Sequence, residues 1–373
     1  MQKGMEGRCF ASLVCMLLAL AAGRAGAGDD VEPAGYPPVL PGYQLAFPRD
    51  GGAHPDFRTE WWYVTGWLED AEGAQRGFQI TFFRVRTRIG EDNPSRFAPT
   101  QLILAHAAVA DPAHGRLLAA ERAARALSPL AGVEQGRTHA WVDGWSLAWG
   151  DGHYRAQAAD GAFSFDLRLR PDGPPMLNGE DGFSRKDADP AHASHYYSRP
   201  QLVVSGTLEV GGRRVEVAGS AWLDHEWSSG LMPPGAHGWD WIGINLHDGG
   251  ALMAFRMRAE DGRPLWAAGT LRGQDGAAQA LDEQAVHFSP SRHWRSPRTG
   301  ARYPVAWRLE VTDGREGRAR AFEIVPLMDD QELDSRRSTG AVYWEGAVRL
   351  LEGGREIGRG YLEMTGYAGR LRM

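Results

Sequence analysis

Short alternating runs of apolar and polar residues fill most of the chain, and Gly, Pro or Asp breaks them every few positions. A period of two places successive side chains on opposite faces of a strand, whereas a helix needs apolar residues every three or four. The pattern therefore predicts an all-β protein. "QLVVSGTLEV", Gly211-Gly212 and "RRVEVAGSAWLD" predict a hairpin with a tight glycine turn. "RLEVTDGREGRARAFEIVPL" predicts another, and residues 59–86 predict two strands around a Gly-containing loop. Only "AAERAARAL", 119–127, looks helical, and it is short.

The pattern also repeats. "WWYVTGWLED" (61–70) resembles "WDWIGINLHD" (239–248), and each leads through a glycine loop into "FQITFFRVR" (78–86) or "ALMAFRMR" (251–258). Later, "GTLEVGGRRVEVAGSAWLDHEW" (206–227) resembles "GAVRLLEGGREIGRGYLEMTGY" (346–367). Each copy opens with an aromatic strand and closes with a Gly-Gly hairpin. This order predicts two consecutive antiparallel β-barrel domains, 40–230 and 231–373, preceded by a linker over 28–39. Barrels of this size enclose one apolar ligand.

The first residues follow a different rule. Lys3 and Arg8 precede "CFASLVCMLLALAAG", an apolar run of signal-peptide length, and small residues follow it. A cut after Ala27 fits the A-x-A pattern, so residues 1–27 are expected to be a signal peptide and the remainder a soluble periplasmic or secreted protein. Both cysteines, Cys9 and Cys15, lie in this leader. The rest of the chain then has no disulfide, thiol nucleophile or cysteine-based metal site. Cleavage removes three basic residues and one acidic one, so the net charge of −6 becomes −8. That balance argues against nucleic acid as a partner. Lys186 is the only lysine beyond the leader, which reads as coding bias more than chemistry.

The chemistry candidates cluster at "SAWLDHEWSS", 220–229. Alternation puts Trp222 and Asp224 on one face, and "HASHYYSRP" offers His195 and Tyr197 with the same spacing. If the two strands are neighbours, one wall is expected to carry a carboxyl, an imidazole, an indole and a phenol. A carboxyl in an apolar cavity stays protonated and can protonate an alkene. Aromatic faces stabilise the cation that forms, and water completes a hydration. The same spacing also suits a carboxylate that merely joins two strands. The opening strands add Glu60, Trp61, Trp62 and Tyr63, then Trp239 and Trp241, and with Trp227 these form the candidate ligand-lining set. No metal is expected, because His225 and Glu226 point to opposite faces, and both read as strand-end, domain-junction residues. The G-x-S-x-G elbow and S-x-x-K spacing of serine hydrolases are absent, as is a phosphate loop.

Together "HPDFRTEWWYVTG", "LILAHAAVAD", "NGEDGFSRKD", "ASHYYSRPQLVVSGTL", "GSAWLDHEWSS", "GWDWIGINLHDG" and "GYLEMTGY" resemble the AttH / carotenoid 1,2-hydratase superfamily over most of residues 40–370. The resemblance implies two lipocalin-like barrels. In the hydratase branch, water adds to the terminal double bond of an acyclic carotenoid without a redox cofactor. The implied catalytic residues fall on His195, Tyr197, Trp222 and Asp224, with Asp224 as proton donor. The aromatic identities are swapped between the two pairs, and the leader points to the AttH branch, whose members often accompany an ABC transporter. The expectation is an exported, cofactor-free protein that holds a lipid- or isoprenoid-like molecule and hydrates it. The alternative is a non-catalytic carrier or an accessory protein of an ABC transporter. Ester or lactone hydrolysis has no recognisable nucleophile. In the second copy Glu363 takes the place of Asp224, and Tyr361 that of Trp222.

Overall fold

Each opening strand pairs with the closing strand of its own copy. Thr59–Asp70 lies antiparallel to Arg213–Gly230, and Gly238–Leu246 lies antiparallel to Arg355–Met364. These pairings organise two antiparallel sheets in a computed structural model that describes residues 35–313 and 317–371. Among the described residues the first sheet has 13 strands, between Thr59 and Gly230, and the second has 10, between Gly238 and Met364. The ends of the first sheet meet at the Leu127–Ala131 bridge, which nearly closes it into a barrel. The all-β class expected from the alternation, and the lipocalin-like form that the resemblance implied, are the ones observed. The proposed leader and most of the proposed linker lie outside the described residues.

The predicted hairpins form. Ala193–Val210 and Arg213–Gly230 turn through Gly211 and Gly212, whose φ values of 60° and 73° are left-handed and favour glycine. Thr59–Asp70 and Gln75–Arg86 pair in register from Thr59–Val85 to Glu69–Gln75, and Arg302–Asp313 pairs with Arg318–Pro326.

The expected helix at 119–127 is instead part of a strand, Arg116–Arg125, paired with Gln101–Asp111 through Ala108–Ala119 and Ala105–Arg122. A nine-residue helix is marginal by itself. Here the ladder satisfies the backbone of a neighbouring strand, and Leu118, Ala120 and Ala124 pack onto the barrel core. Long-range pairing overrides the local preference of Ala, Glu and Arg.

Both faces of the opening and closing strands are covered. Trp62, Val64 and Leu68 point into the first barrel with Phe78, Ile80 and Leu223. Tyr63, Trp67, Trp222 and Trp241 form a separate layer between the sheets with Met253, Phe255 and Met257. The second sheet has its own core around Trp307, Ile324 and Leu350. This double burial explains the aromatic density of "WWYVTGW", because only strands covered on both faces read as nearly continuous apolar runs.

Candidate functional site

The layer between the sheets encloses a cavity of about 80 Å3. Its walls are Trp61, Tyr63, Phe83 and Tyr196 from the first sheet, and Trp239, Trp241, Phe255 and Met257 from the second. Four carboxyl groups open onto it, Asp224, Glu226, Glu345 and Glu363, and so does one ammonium, Lys186. The two pseudo-equivalent acids of the repeat, Asp224 and Glu363, therefore share one cavity.

Asp224 stands opposite Tyr63 on one side and Ser198 on the other. Its Oδ1 accepts hydrogen bonds from Ser198 Oγ at 2.6 Å and from Trp222 Nε1 at 2.7 Å. Burial pushes the carboxyl from its ordinary 3.8 to about 7, against the pull of the Ser198, Trp222 and Tyr196 hydrogen bonds. Glu345 and Glu363 are cross-strand neighbours. Burial raises both, and their mutual repulsion favours one shared proton. Glu345 Oε2 accepts from Tyr63 Oη at 2.5 Å, but burial and the neighbouring Glu363 charge still hold the Glu345 carboxyl well above its ordinary range. Trp241 Nε1 donates to Tyr196 Oη at 3.0 Å, and so holds the Tyr196 phenol beside Asp224. Gly243 makes this wall possible: a Cβ there would lie 2.6 Å from the Trp241 ring and 2.9 Å from that of Trp222.

The expected wall of Asp224, Trp222, His195 and Tyr197 does not form. Register puts Ser198 opposite Asp224, Tyr197 opposite His225 and His195 opposite Trp227. His195 and Tyr197 therefore face the first barrel, whereas Tyr196 lines the cavity and Ser198 stands on its side of the sheet, bonded to Asp224. The cause is a β-bulge. Counting outward from the Gly-Gly turn would pair Asp224 with Arg199, on the face of His195 and Tyr197. The register shifts between Arg199 and Leu202, at Pro200 and Gln201. Gln201 has a left-handed φ of 57°. One inserted residue reverses every side chain beyond it. The second sheet pins the bulge: Gln201 N donates to Asn245 Oδ1 at 2.8 Å, and Gln201 Nε2 donates to the carbonyls of Leu246 and Gly250.

The aromatic set also divides. Trp61, Tyr63, Trp239 and Trp241 line the cavity, whereas Glu60, Trp62 and Trp227 belong to the first barrel. Inside that barrel, Glu60 accepts from Arg84 Nε at 2.8 Å and meets His54 Nδ1 at 2.8 Å and His225 Nε2 at 2.9 Å. The other nitrogen of His54 lies 3.2 Å from Asp50 Oδ1, and its ring stacks on Trp227 with centroids 3.7 Å apart. Burial opposes a charge on His54, but the two carboxylates outweigh it and raise its pKa above 6.5. The donor atoms of His54, Glu60 and His225 lie within 4.8 Å of one another, and hydrogen bonds already commit each of them. Asp240 is the counterpart in the second barrel, accepting from Arg256 at 2.8 Å and Tyr367 at 2.9 Å.

His225 and Glu226 are not strand-end residues, since the closing strand continues to Gly230. His225 is buried in the barrel network, and Glu226 faces the cavity against Lys186 Nζ at 2.8 Å. Sequence reasoning missed Lys186, Tyr196, Ser198, Glu226, Glu345 and Tyr343 as cavity-side residues. Pro200 inside a predicted strand was the available signal, because proline there marks an edge or a bulge.

A family model described as AttH-like matches residues 38–367. A Nitrosomonas europaea protein provisionally named AttH has a crystal structure with a TM-score of 0.81 to this chain at 48% identity, covering 89% of this chain and 99% of its own. The crystal structure of kievitone hydratase from Nectria haematococca has a TM-score of 0.65 at 13% identity, covering 87% of this chain and 94% of its own, a likeness of fold. No curated protein matches the chain in sequence.

Proposed function

The chain belongs to the AttH-like family, and from that premise we propose that the cavity between its sheets binds a small apolar, isoprenoid- or lipid-like molecule and hydrates it by acid catalysis without a cofactor. The observation that carries this reading is Asp224, a buried carboxyl with no cationic partner among the described residues, set among aromatic rings and held near neutrality by desolvation. Asp224 transfers its proton to one alkene carbon of the ligand. The positive charge left on the other carbon lies among Trp61, Trp241 and Tyr196, whose ring faces stabilise it. A water oxygen forms the new C–O bond and gives its proton to the Asp224 carboxylate, which restores the acid. The sum is one water added across one double bond. His195 and Tyr197 act from the other face of the sheet, where they pack the barrel and do not touch the ligand.

We further propose that residues 1–27 direct export, so that the reaction takes place outside the cytoplasm. A carrier that only holds the ligand, alone or for an ABC transporter, would use the same cavity, and the two readings separate on Asp224. Wild type and Asp224→Asn are incubated with acyclic isoprenoid alkenes in 18O-labelled water, and the extracts are analysed by mass spectrometry. The proposal expects labelled alcohol from the wild type alone. Equal labelling by the variant removes Asp224 as the acid. Retention of unchanged alkene by both proteins supports the carrier.

A further inference from the structure

The cavity has a polar corner that acid catalysis on an alkene does not use. Lys186 follows the short strand Phe183–Arg185 and is buried, with 5% of its surface exposed. Its Nζ lies 2.8 Å from Glu226 Oε1 and donates to Ser184 Oγ at 3.0 Å. The same nitrogen stands 4.3 Å from the ring centre of Phe255, on the second sheet, and 5.1 Å from that of Tyr196, on the first. Ser194 Oγ also donates to Glu226 Oε1, so this carboxylate is held in place.

An ammonium carries three protons. Two have oxygen acceptors here; among the described residues no third oxygen accepts from it, and its remaining side faces the Phe255 and Tyr196 rings. The group lines a cavity whose walls are aromatic rings together with the carboxyl groups of Asp224, Glu226, Glu345 and Glu363. Burying an ion pair in such a wall is costly, and well-packed apolar residues would stabilise the seam as well. A ligand with an acceptor oxygen supplies the missing partner, whereas a pure hydrocarbon leaves the donor facing apolar surface. Charge narrows the class further. Lys186 and Glu226 already cancel, so an anionic ligand group would meet the Glu226 carboxylate at close range. A carbonyl oxygen accepts the third hydrogen bond without adding charge.

We propose that Lys186 is a specificity-determining residue that anchors a carbonyl oxygen of the ligand, so that the natural substrate is an isoprenoid- or lipid-like ketone, ester or lactone and not a hydrocarbon. This rests on the cavity being the ligand site, and it adds a polar end to the apolar molecule proposed above. The scarcity of lysine then has a chemical side: the single lysine beyond the leader sits in the cavity.

The test compares three probes, geranylacetone, the hydrocarbon in which CH2 replaces its carbonyl, and geranate. Binding is read from quenching of the fluorescence of Trp61, Trp239 and Trp241. Wild type is expected to bind the ketone roughly 10- to 100-fold tighter than the hydrocarbon, the worth of one charge-assisted hydrogen bond, and tighter than geranate. Lys186→Met is expected to abolish the preference by weakening ketone binding to the level of the hydrocarbon. Because that variant leaves Glu226 buried and unpaired, the double variant Lys186→Met/Glu226→Gln is measured too, with the same expectation. Equal wild-type binding of ketone and hydrocarbon overturns the anchor but keeps the apolar cavity. A preference that survives in both variants, or one for geranate, also overturns it. If no probe binds, both the anchor and the ligand site are rejected.

Discussion

Replacing Asp224 by Asn tests the buried acid through folding stability, before any substrate is known. The carboxamide keeps an oxygen for Ser198 and Trp222 and stays neutral at every pH, so it mimics the protonated acid. The carboxyl moves from 3.8 to about 7 on folding. Each unit is worth about 1.4 kcal/mol, so the total is about 4 kcal/mol. The sign follows from proton counting. Below pH 3.8 the group is protonated in both states and stability is unaffected. Between 3.8 and about 7 the unfolded chain releases the proton and the folded chain keeps it, so stability falls as pH rises. Above that the loss is complete. Asn has no such window. Urea unfolding at fixed ionic strength, repeated from about pH 4 to about pH 8, should show the variant gaining about 4 kcal/mol on the wild type across the range. Glu345 and Glu363 titrate in both proteins, and the difference reports Asp224 together with the push its charge gives Glu363. Curves that stay parallel would mean that Asp224 is already ionised in the fold, and the acid role would be lost with it.

Three further changes probe the rest of the account. His195→Gln should leave ligand binding and turnover near wild type, because the ring packs on Tyr43 and Trp227 away from the cavity; a collapse of activity with intact folding would contradict this placement. Glu60→Gln breaks the buried network of Arg84, His54 and His225 and should cost about 3–5 kcal/mol in urea unfolding. Because these partners hold Glu60 below its ordinary 4.5, its contribution is present above that pH and lost as pH falls, so the variant should also flatten the acid limb of the wild-type stability curve. Gly243→Ala should cost about 1–3 kcal/mol by crowding the Trp222 and Trp241 rings, and should change the near-UV circular dichroism; an unchanged spectrum would show that the wall has slack.

Strand identity was legible wherever alternation and glycine turns agreed, as in the hairpin around Gly211-Gly212. The repeat was legible as well, and in the structure the opening strand of each copy pairs with its closing strand. The strand at Arg116–Arg125 was not, because its alanines favour a helix locally and only a distant partner makes them a strand. Within the site, the Trp222 and Asp224 pairing is local and was read correctly. Its partner wall depended on the parity of the register, and the bulge at Pro200 and Gln201 reverses that parity. Glu345 and Lys186 come to the cavity from segments distant in sequence, so no spacing rule connects them to Asp224.

The account turns on a neutral carboxyl at Asp224 near physiological pH, and infrared spectroscopy sees that group directly. Spectra of the protein in deuterated buffer, taken as pH rises from about 5 to about 9, should contain a protonated carboxyl C=O stretch. That band should fade with a midpoint near 7 and should be lost in the difference between wild type and Asp224→Asn. A carboxylate signature for Asp224 already complete at the acidic end of the range would contradict it.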